Sequence, residues 1–279
     1  MFQAFFEKKF KNNYPLVDSH CHLDLCNKSN QLNNIIKKSE SKHVKFFVLP
    51  GINSDNWIEI LNIAAHYPNV FFALGIHPYF IQCEVDAQNQ FNQLQNMLEA
   101  TDFIASQQQF IAIGEIGIDS SRSDIKLQSL IFKQQLLLAQ KLALPVIIHH
   151  RNSIDLICQL VRQTNFSHGG VVHAFSGSQQ QADNLIALGF KLGVGGVITY
   201  PRASKTRRVI QSVSLASLLI ETDSPDMPLA GYQGQDNHPS QAVLVFKALC
   251  ELRQEPPEVI QQALWHNVKA CFPRFLVSL

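Results

Sequence analysis

His20 and His22, in the run Asp18-Ser19-His20-Cys21-His22, close a short apolar stretch two positions apart, a spacing that puts both imidazoles on one side of a strand. Paired imidazoles suit a shared metal ion, although such a pair alone could equally end a strand as satisfied polar groups. Other apolar runs end in the same manner. Glu115 closes Gly114-Glu115-Ile116-Gly117, His149 closes Ile147-Ile148-His149, His173 closes Val171-Val172-His173 and Asp223 closes Ile220-Glu221-Thr222-Asp223. Four histidines and two carboxylates gathered at one place would be costly to bury without a counter-charge, which a divalent cation supplies. Six ligands exceed the need of one tetrahedral ion with an open position, whereas two ions sharing a carboxylate use them all. The expected centre is binuclear, with His20, His22 and Asp223 on one ion, His149 and His173 on the other, and Glu115 bridging. Zn²⁺, Mn²⁺ or Mg²⁺ would fit mixed imidazole and carboxylate ligation. Two ions that activate a water and stabilise the attacking and leaving oxygens hydrolyse phosphate esters or amides, with Asp223 as proton acceptor. Glu221, on the same face and deeper, either orients a ligand or is a buried structural carboxylate.

Those residues need a scaffold that brings strand ends together. Strands are expected at Leu16 to His22, Val44 to Gly51, Val70 to His77, Phe110 to Asp119, Pro145 to His150, Gly170 to Gly177, Phe190 to Ile198 and Leu218 to Asp223. Between them lie amphipathic stretches such as Asp55 to His66, Ile125 to Leu142 and Gln179 to Leu188, and two helices, near Gln241 to Arg253 and Pro257 to Ala270, follow the last strand. Near-continuous apolar strands alternating with helices imply a parallel sheet covered on its outer face. The fold class expected is α/β, a single (β/α)8 TIM barrel in one domain over residues 1–279, with residues 1–15 as an N-terminal extension. A doubly wound open sheet has the same local pattern. Strand-end residues of either architecture belong to the site.

Composition narrows the function. The chain has 279 residues, 46% hydrophobic and 16% charged, enough apolar side chain for a substantial core and too little charge for disorder. A formal charge of +1 gives no field over the whole surface for nucleic acid or an anionic membrane, so affinity for a polyanion must be local. No apolar stretch approaches the ~20 residues that span a bilayer, and charges interrupt the N-terminal apolar residues before a secretory signal can form. Six cysteines without a CxxC pair read as reduced thiols of a cytoplasmic protein. Cys21, between the two histidines, belongs to the opposite strand face. No obligate protein partner is evident.

In order along the chain, DSHCHLD, GIHP at Gly75 to Pro78, GEIGID at Gly114 to Asp119, PVIIHHR at Pro145 to Arg151, VVHAFSG at Val171 to Gly177 and ETDSP at Glu221 to Pro225 resemble the TatD family of metal-dependent hydrolases, within the amidohydrolase-like superfamily. GVGGVITYPRASKTR and DMPLAGYQGQDNHPSQ look most like its YjjV-type branch. The resemblance implies a TIM barrel, a two-metal site and deoxyribonuclease or phosphodiesterase activity. It places the metal ligands on His20, His22, Glu115, His149, His173 and Asp223, with His150 pointing away from the barrel interior. His77, from GIHP, looks like a pocket residue for a substrate phosphate. Two departures stand out: about fifteen residues precede the first motif, and Ala174 stands where many members have cysteine.

Arg151 follows His149 by two and is a candidate phosphate clamp. Arg202 and Lys205, after the seventh strand, are the basic residues expected to reach the site, with Arg207 and Arg208 on a solvated helix face. Tyr79, Phe80, Phe175 and Tyr200 are candidates to stack on bases, so single-stranded DNA is the expected substrate class. Rival readings are a barrel amidohydrolase acting on small phosphoesters, amides or lactones, and a silent metal-binding barrel. The former often bridges its metals with a carboxylated lysine; here Glu115 takes the fourth-strand position and that strand holds no lysine.

Overall fold

The structure, a computed structural model, describes residues 14–26, 31–100 and 102–278. Eight strands lie in chain order in one sheet, each parallel to the next: β1 (Leu16–Asp18), β2 (Val44–Pro50), β3 (Val70–Leu74), β4 (Phe110–Asp119), β5 (Val146–Arg151), β6 (Gly170–Val172), β7 (Phe190–Val194) and β8 (Leu218–Ile220). The helices are α1 (Leu23–Cys26), α2 (Leu32–Glu40), α3 (Ser54–His66), α4 (Glu84–Glu99), α5 (Phe103–Ser106), α6 (Ile125–Lys141), α7 (Ile154–Gln163), α8 (Gln179–Ala187), α9 (Ser204–Ser212), α10 (Ala242–Leu252) and α11 (Pro257–Cys271). This is a single (β/α)8 barrel, and the open doubly wound sheet is set aside.

Local chemistry starts the helices where the strand tips end. Asn53 caps α3 and Ser178 caps α8, each in a reciprocal capping box that satisfies the first free amides of the helix. Two apolar layers follow from strand alternation. Val17, Val48, Phe71, Ile111, Ile147, Val171 and Leu219 fill the barrel interior, while Leu16, Phe47, Phe72, Ile113, Val146, Val172 and Leu218 pack outward under the helices. The interior layer is continued at its lower end by Trp265, Val268, Phe272 and Phe275 of α11 and the following segment, with Phe46 edge-on to Phe275 and Phe71 tilted against it. That end is sealed, so the opposite end alone is left for chemistry.

Most strands stop short of their expected ends. β1 ends at Asp18, β6 at Val172 and β8 at Ile220, before the residues singled out for chemistry. For β1 and β8 the physical reason is the closing seam. Beyond Asp18 the backbone bonds instead to the chain leaving β8: Ser19 N–H to the Ile220 carbonyl at 3.0 Å, Asp223 N–H to the His20 carbonyl at 2.9 Å and His22 N–H to the Ser224 carbonyl at 2.8 Å. Of the expected N-terminal extension, residues 1–13 lie outside the described residues. Tyr14 packs on α11, its ring 5.6 Å from that of His266 and its carbonyl accepting from the Gln261 amide.

Candidate metal centre and active-site pocket

At the open end of the barrel a pocket of about 290 Å³ has a floor of His22, His77, Glu115, His149, His173 and Asp223. Leu25, Ile52, Tyr79 and Phe80 form an apolar wall and Asp226 stands at its rim. Glu115 is at the centre, 3% exposed, and its two oxygens divide the floor. Oε2 lies 3.3 Å from His20 Nε2 and 3.7 Å from His22 Nε2, with Asp223 Oδ1 3.5 Å and 3.7 Å from the same two nitrogens. Oε1 lies 3.0 Å from His173 Nε2, 3.1 Å from His149 Nδ1 and 3.4 Å from His77 Nε2. Backbone bonds to Gly51 hold the glutamate there: Glu115 N–H donates to the Gly51 carbonyl at 2.7 Å, and Gly51 N–H to the Gly114 carbonyl at 3.1 Å.

The donor set fits divalent cations. His20 Nδ1 and Nε2, His22 Nδ1, His149 Nε2 and His173 Nδ1 are buried without hydrogen-bond partners, an arrangement costly for so many polar atoms unless a charge is shared among them. Three sets place one donor atom per residue within 4.8 Å of each other: His20, His22 and Glu115; His20, His173 and Asp223; and His77, Glu115 and His149. His150, expected to face away, is in none of these sets and lies 6.3 Å from the Phe175 ring.

Outer carboxylates back the floor. Asp119 Oδ2 is 3.8 Å from His149 Nε2, and its Oδ1 is fixed by Ser121 N–H at 2.8 Å and Oγ–H at 2.6 Å. Glu221 Oε1 accepts from Ala174 N–H at 2.5 Å and lies 3.6 Å from His173 Nδ1. Carboxylates behind ligating histidines fix ring orientation and raise basicity. Both readings of Glu221 therefore meet in one residue: fully buried, and facing a candidate ligand.

The electrostatics follow from burial among like and unlike charges. Burial acts to raise the Glu115 carboxyl, but His173, His77 and His20 outweigh it and hold the group well below the ordinary carboxylate range. Burial, then His173, brings His20 down to about 4. Burial pushes Asp223 up to about 7 against the pull of His173 and His22. Asp223 also has φ 57°, the left-handed region, a conformation aspartate tolerates better than most residues.

Not every expected residue reaches the pocket. His77 lines it, with Tyr79 and Phe80. Arg151, Arg202 and Lys205 are exposed and outside its lining; the Arg202 guanidinium sits 5.2 Å from the Tyr200 ring centroid. Phe175 is a correction: it is 2% exposed and packed in the outer core, unable to meet a base. Tyr200 donates its hydroxyl to the Pro228 carbonyl at 2.6 Å, away from the pocket lining. Cys21 is buried, its thiol 3.9 Å from the Val48 carbonyl. Two neighbours of the site were not singled out by sequence. Asp119 was legible, as a carboxylate closing β4 four residues beyond Glu115. Arg122 was not: it follows in a loop, its guanidinium 4.0 Å from the Tyr79 ring centroid, a contact no local pattern announces.

An α/β barrel with this histidine and carboxylate cluster at its open mouth has the architecture of a barrel metal-dependent hydrolase. The chain matches the family described as TatD related DNase over residues 17–273. It is 42% identical over 258 residues to the uncharacterized metal-dependent hydrolase YjjV of Escherichia coli (strain K12), covering 92% of this chain and 97% of that one. It is 38% identical over 264 residues to an uncharacterized metal-dependent hydrolase of Haemophilus influenzae, covering 91% and 98%. The crystal structure of the E. coli YjjV TatD homolog superposes with a TM-score of 0.85 at 40% identity, covering 92% and 98%. The chain belongs to the TatD family of metal-dependent hydrolases.

Proposed function

We propose that the chain hydrolyses phosphodiester bonds at the ends of nucleic acid, single-stranded DNA foremost, with two divalent cations at the barrel mouth. The observation that carries the reading is the split of Glu115: one oxygen faces His20 and His22, the other His149 and His173. That division suits a bridging carboxylate, with His20, His22 and Asp223 on one side and His149 and His173 on the other. When bound, such a pair of ions lowers the pKa of a water and neutralises charge on the attacked ester. Glu115 holds the two halves in register. Asp223, at the pocket surface with its side chain 14% exposed, accepts the proton of the attacking water. Asp119 and Glu221 keep the His149 and His173 rings in place from behind.

The pocket favours an end over a duplex. Its volume of about 290 Å³ is at the small end of ligand sites, ~300–1,000 Å³, room for one terminal unit of a strand. Tyr79 and Phe80 offer a ring surface beside the floor, and Arg122 over Tyr79 adds a cation next to the wall. Arg151, Arg202 and Lys205 would then meet phosphates further along the strand. No helix of the described residues is long and apolar enough to cross a membrane. The six free cysteines suit the cytoplasm as the place of action.

The test pairs elemental analysis of the purified protein with cleavage of end-labelled single-stranded DNA, with and without chelator and added Mg²⁺, Mn²⁺ or Zn²⁺. Metal-dependent shortening from one end, lost in His20→Ala, is the expected result. Bound metal without cleavage of DNA or RNA would move the substrate to small phosphoesters, amides or lactones. Absence of metal under every loading condition would overturn the mechanism.

A further inference from the structure

Leaving histidines aside, the described residues that line the pocket include three charged side chains, Glu115, Asp223 and Asp226, and no lysine or arginine. Glu115 and Asp223 belong to the clusters at metal-binding separation; Asp226 belongs to none of them. It is exposed at the rim, and its carboxylate makes no hydrogen bond or ion pair with another described residue. A carboxylate only accepts, so its natural partner is a hydroxyl or N–H brought in by the substrate.

The backbone of Asp226, in contrast, is pinned on both sides by one residue. Asn237, 3% exposed, donates its N–H to the Pro225 carbonyl at 2.8 Å and its side-chain amide to the Met227 carbonyl at 3.1 Å. The same amide reaches the Thr222 carbonyl at 2.7 Å, which ties the turn back to the seam. Met227 takes φ 51°, a left-handed conformation that persists in such a residue only where its surroundings fix it. An unpaired charge is thus held in place at the mouth before any ligand arrives, which lowers the cost of ordering it on binding.

We propose that Asp226 is a specificity-determining residue that selects strand ends finishing in a free hydroxyl. The inference rests on the nucleic-acid reading of the pocket. Tyr79 and Phe80 come from the chain after β3 and Asp226 from the chain after β8, with β1 and β2 between them round the barrel. A terminal base on the ring wall then leaves its sugar to meet Asp226, whose carboxylate accepts the hydrogen bond of the terminal hydroxyl. A phosphate at that place, whether a terminal phosphate or the next link of a continuing strand, meets a like charge and is turned away. Arg151, at the end of β5, and Arg202 and Lys205, after β7, stand outside the lining on the side where the strand continues. One fixed anion at the rim therefore separates an end from an interior link.

The experiment compares metal-loaded wild type, Asp226→Asn and Asp226→Ala on a short single-stranded oligodeoxynucleotide with hydroxyls at both ends, then with a phosphate at the 3′ end or at the 5′ end. Each kcat/KM is divided by that of the same protein on bis(4-nitrophenyl) phosphate, which cancels any change at the metal centre. Wild type is expected to prefer the hydroxyl at the end it attacks about ten- to hundredfold, and Asp226→Asn to narrow the preference to about threefold by gaining on the phosphate-ended strand. The asparagine carbonyl still accepts from a hydroxyl, so on the hydroxyl-ended strand Asp226→Ala should fall below Asp226→Asn. An equal preference in wild type and Asp226→Asn would overturn the proposal, and equal values for asparagine and alanine on the hydroxyl-ended strand would overturn the hydroxyl contact. Inhibition of bis(4-nitrophenyl) phosphate hydrolysis by thymidine 3′- or 5′-phosphate and by thymidine 3′,5′-bisphosphate needs no strand cleavage. The bisphosphate should gain about tenfold over the monophosphates in Asp226→Asn; an unchanged ratio would overturn the proposal. A wild type that hydrolyses the simple phosphodiester but shortens no strand would remove the nucleic-acid reading, and the inhibition ratio would still decide the role of Asp226.

Discussion

Asp223 donates its backbone N–H to the carbonyl of His20 across 2.9 Å, so the first and last strands of the barrel are joined at two of the residues proposed to share a metal. The bond belongs to a seam. Ser19 reaches the Ile220 carbonyl, His22 reaches the Ser224 carbonyl, and the buried Asp18 carboxylate takes Thr222 N–H at 2.9 Å and its hydroxyl at 2.6 Å. Closing the cylinder and bringing His20, His22 and Asp223 together are the same structural event. Stability of the seam and integrity of the site are therefore coupled.

Thr222→Val tests that coupling from the stability side. Valine keeps the shape and the backbone N–H but removes the hydroxyl that donates to Asp18 and accepts from Ser224 N–H at 3.2 Å. Leaving a buried carboxylate short of a donor costs about 1–3 kcal/mol, and about 2–4 °C of Tm per kcal/mol is expected for a barrel of this size. Calorimetry of the metal-free protein should show Tm lowered by several degrees; an unchanged Tm would mean the pair holds nothing together.

Asp223→Asn tests the chemistry. The amide preserves side-chain volume and the His20 backbone bond, so folding is retained. It cannot accept a proton at neutral pH, and loss of a general base lowers turnover about 10²–10⁴-fold. Circular dichroism and single-turnover cleavage on the same preparation separate the two, and turnover at the wild-type rate would remove Asp223 as the proton acceptor.

The strand-to-site logic was readable in the sequence because an apolar run ending in histidine or carboxylate is a local pattern. β4 has its expected limits, Phe110–Asp119, since its pairing with β5 resumes after a register shift around Glu115 and runs on to Asp119 opposite Arg151. β1 and β8 do not, because a seam between residues some two hundred positions apart, such as Asp18 and Thr222, leaves no local trace. His20 and His22 meet with ring centroids 5.2 Å apart, at the seam and beyond the strand whose alternation suggested it. Base-stacking candidates fared unevenly for the same reason: Tyr79 lines the pocket and Phe175 is core, a difference set by tertiary packing. Arg122 over Tyr79 joins two loops and had no signature.

Gly193→Ala tests the support behind His173. A Cβ at position 193 would stand 2.3 Å from Glu221 Oε2, so the carboxylate must move off Ala174 N–H and His173. Glu221→Gln weakens the same support without crowding. Loss of such a supporting carboxylate typically costs about 10–100-fold in metal affinity. Calorimetric titration of the metal-free variants with Zn²⁺ should show that weakening in both; wild-type affinity in both would make Glu221 purely structural.

Arg253 and Glu255 carry a pH dependence far from the pocket. The guanidinium bonds the Ile210 and Val213 carbonyls at 2.9 Å and 2.8 Å, tying the end of α9 to the link between α10 and α11, and Glu255 grips it bidentately at 2.6 Å and 3.1 Å. The hydrogen bond from Arg253 draws Glu255 from 4.5 down to about 2. A carboxyl depressed on folding contributes stability that is fully present above 4.5 and is lost as pH falls toward 2. Because Glu255 is a third exposed, solvent screening reduces the contribution to about 1 kcal/mol. Urea unfolding of wild type and Glu255→Gln should differ by about that amount at pH 7 and converge as pH falls from 4.5 toward 2. A difference that persists unchanged down to pH 2 would place the effect in packing of the side chain and not in its charge.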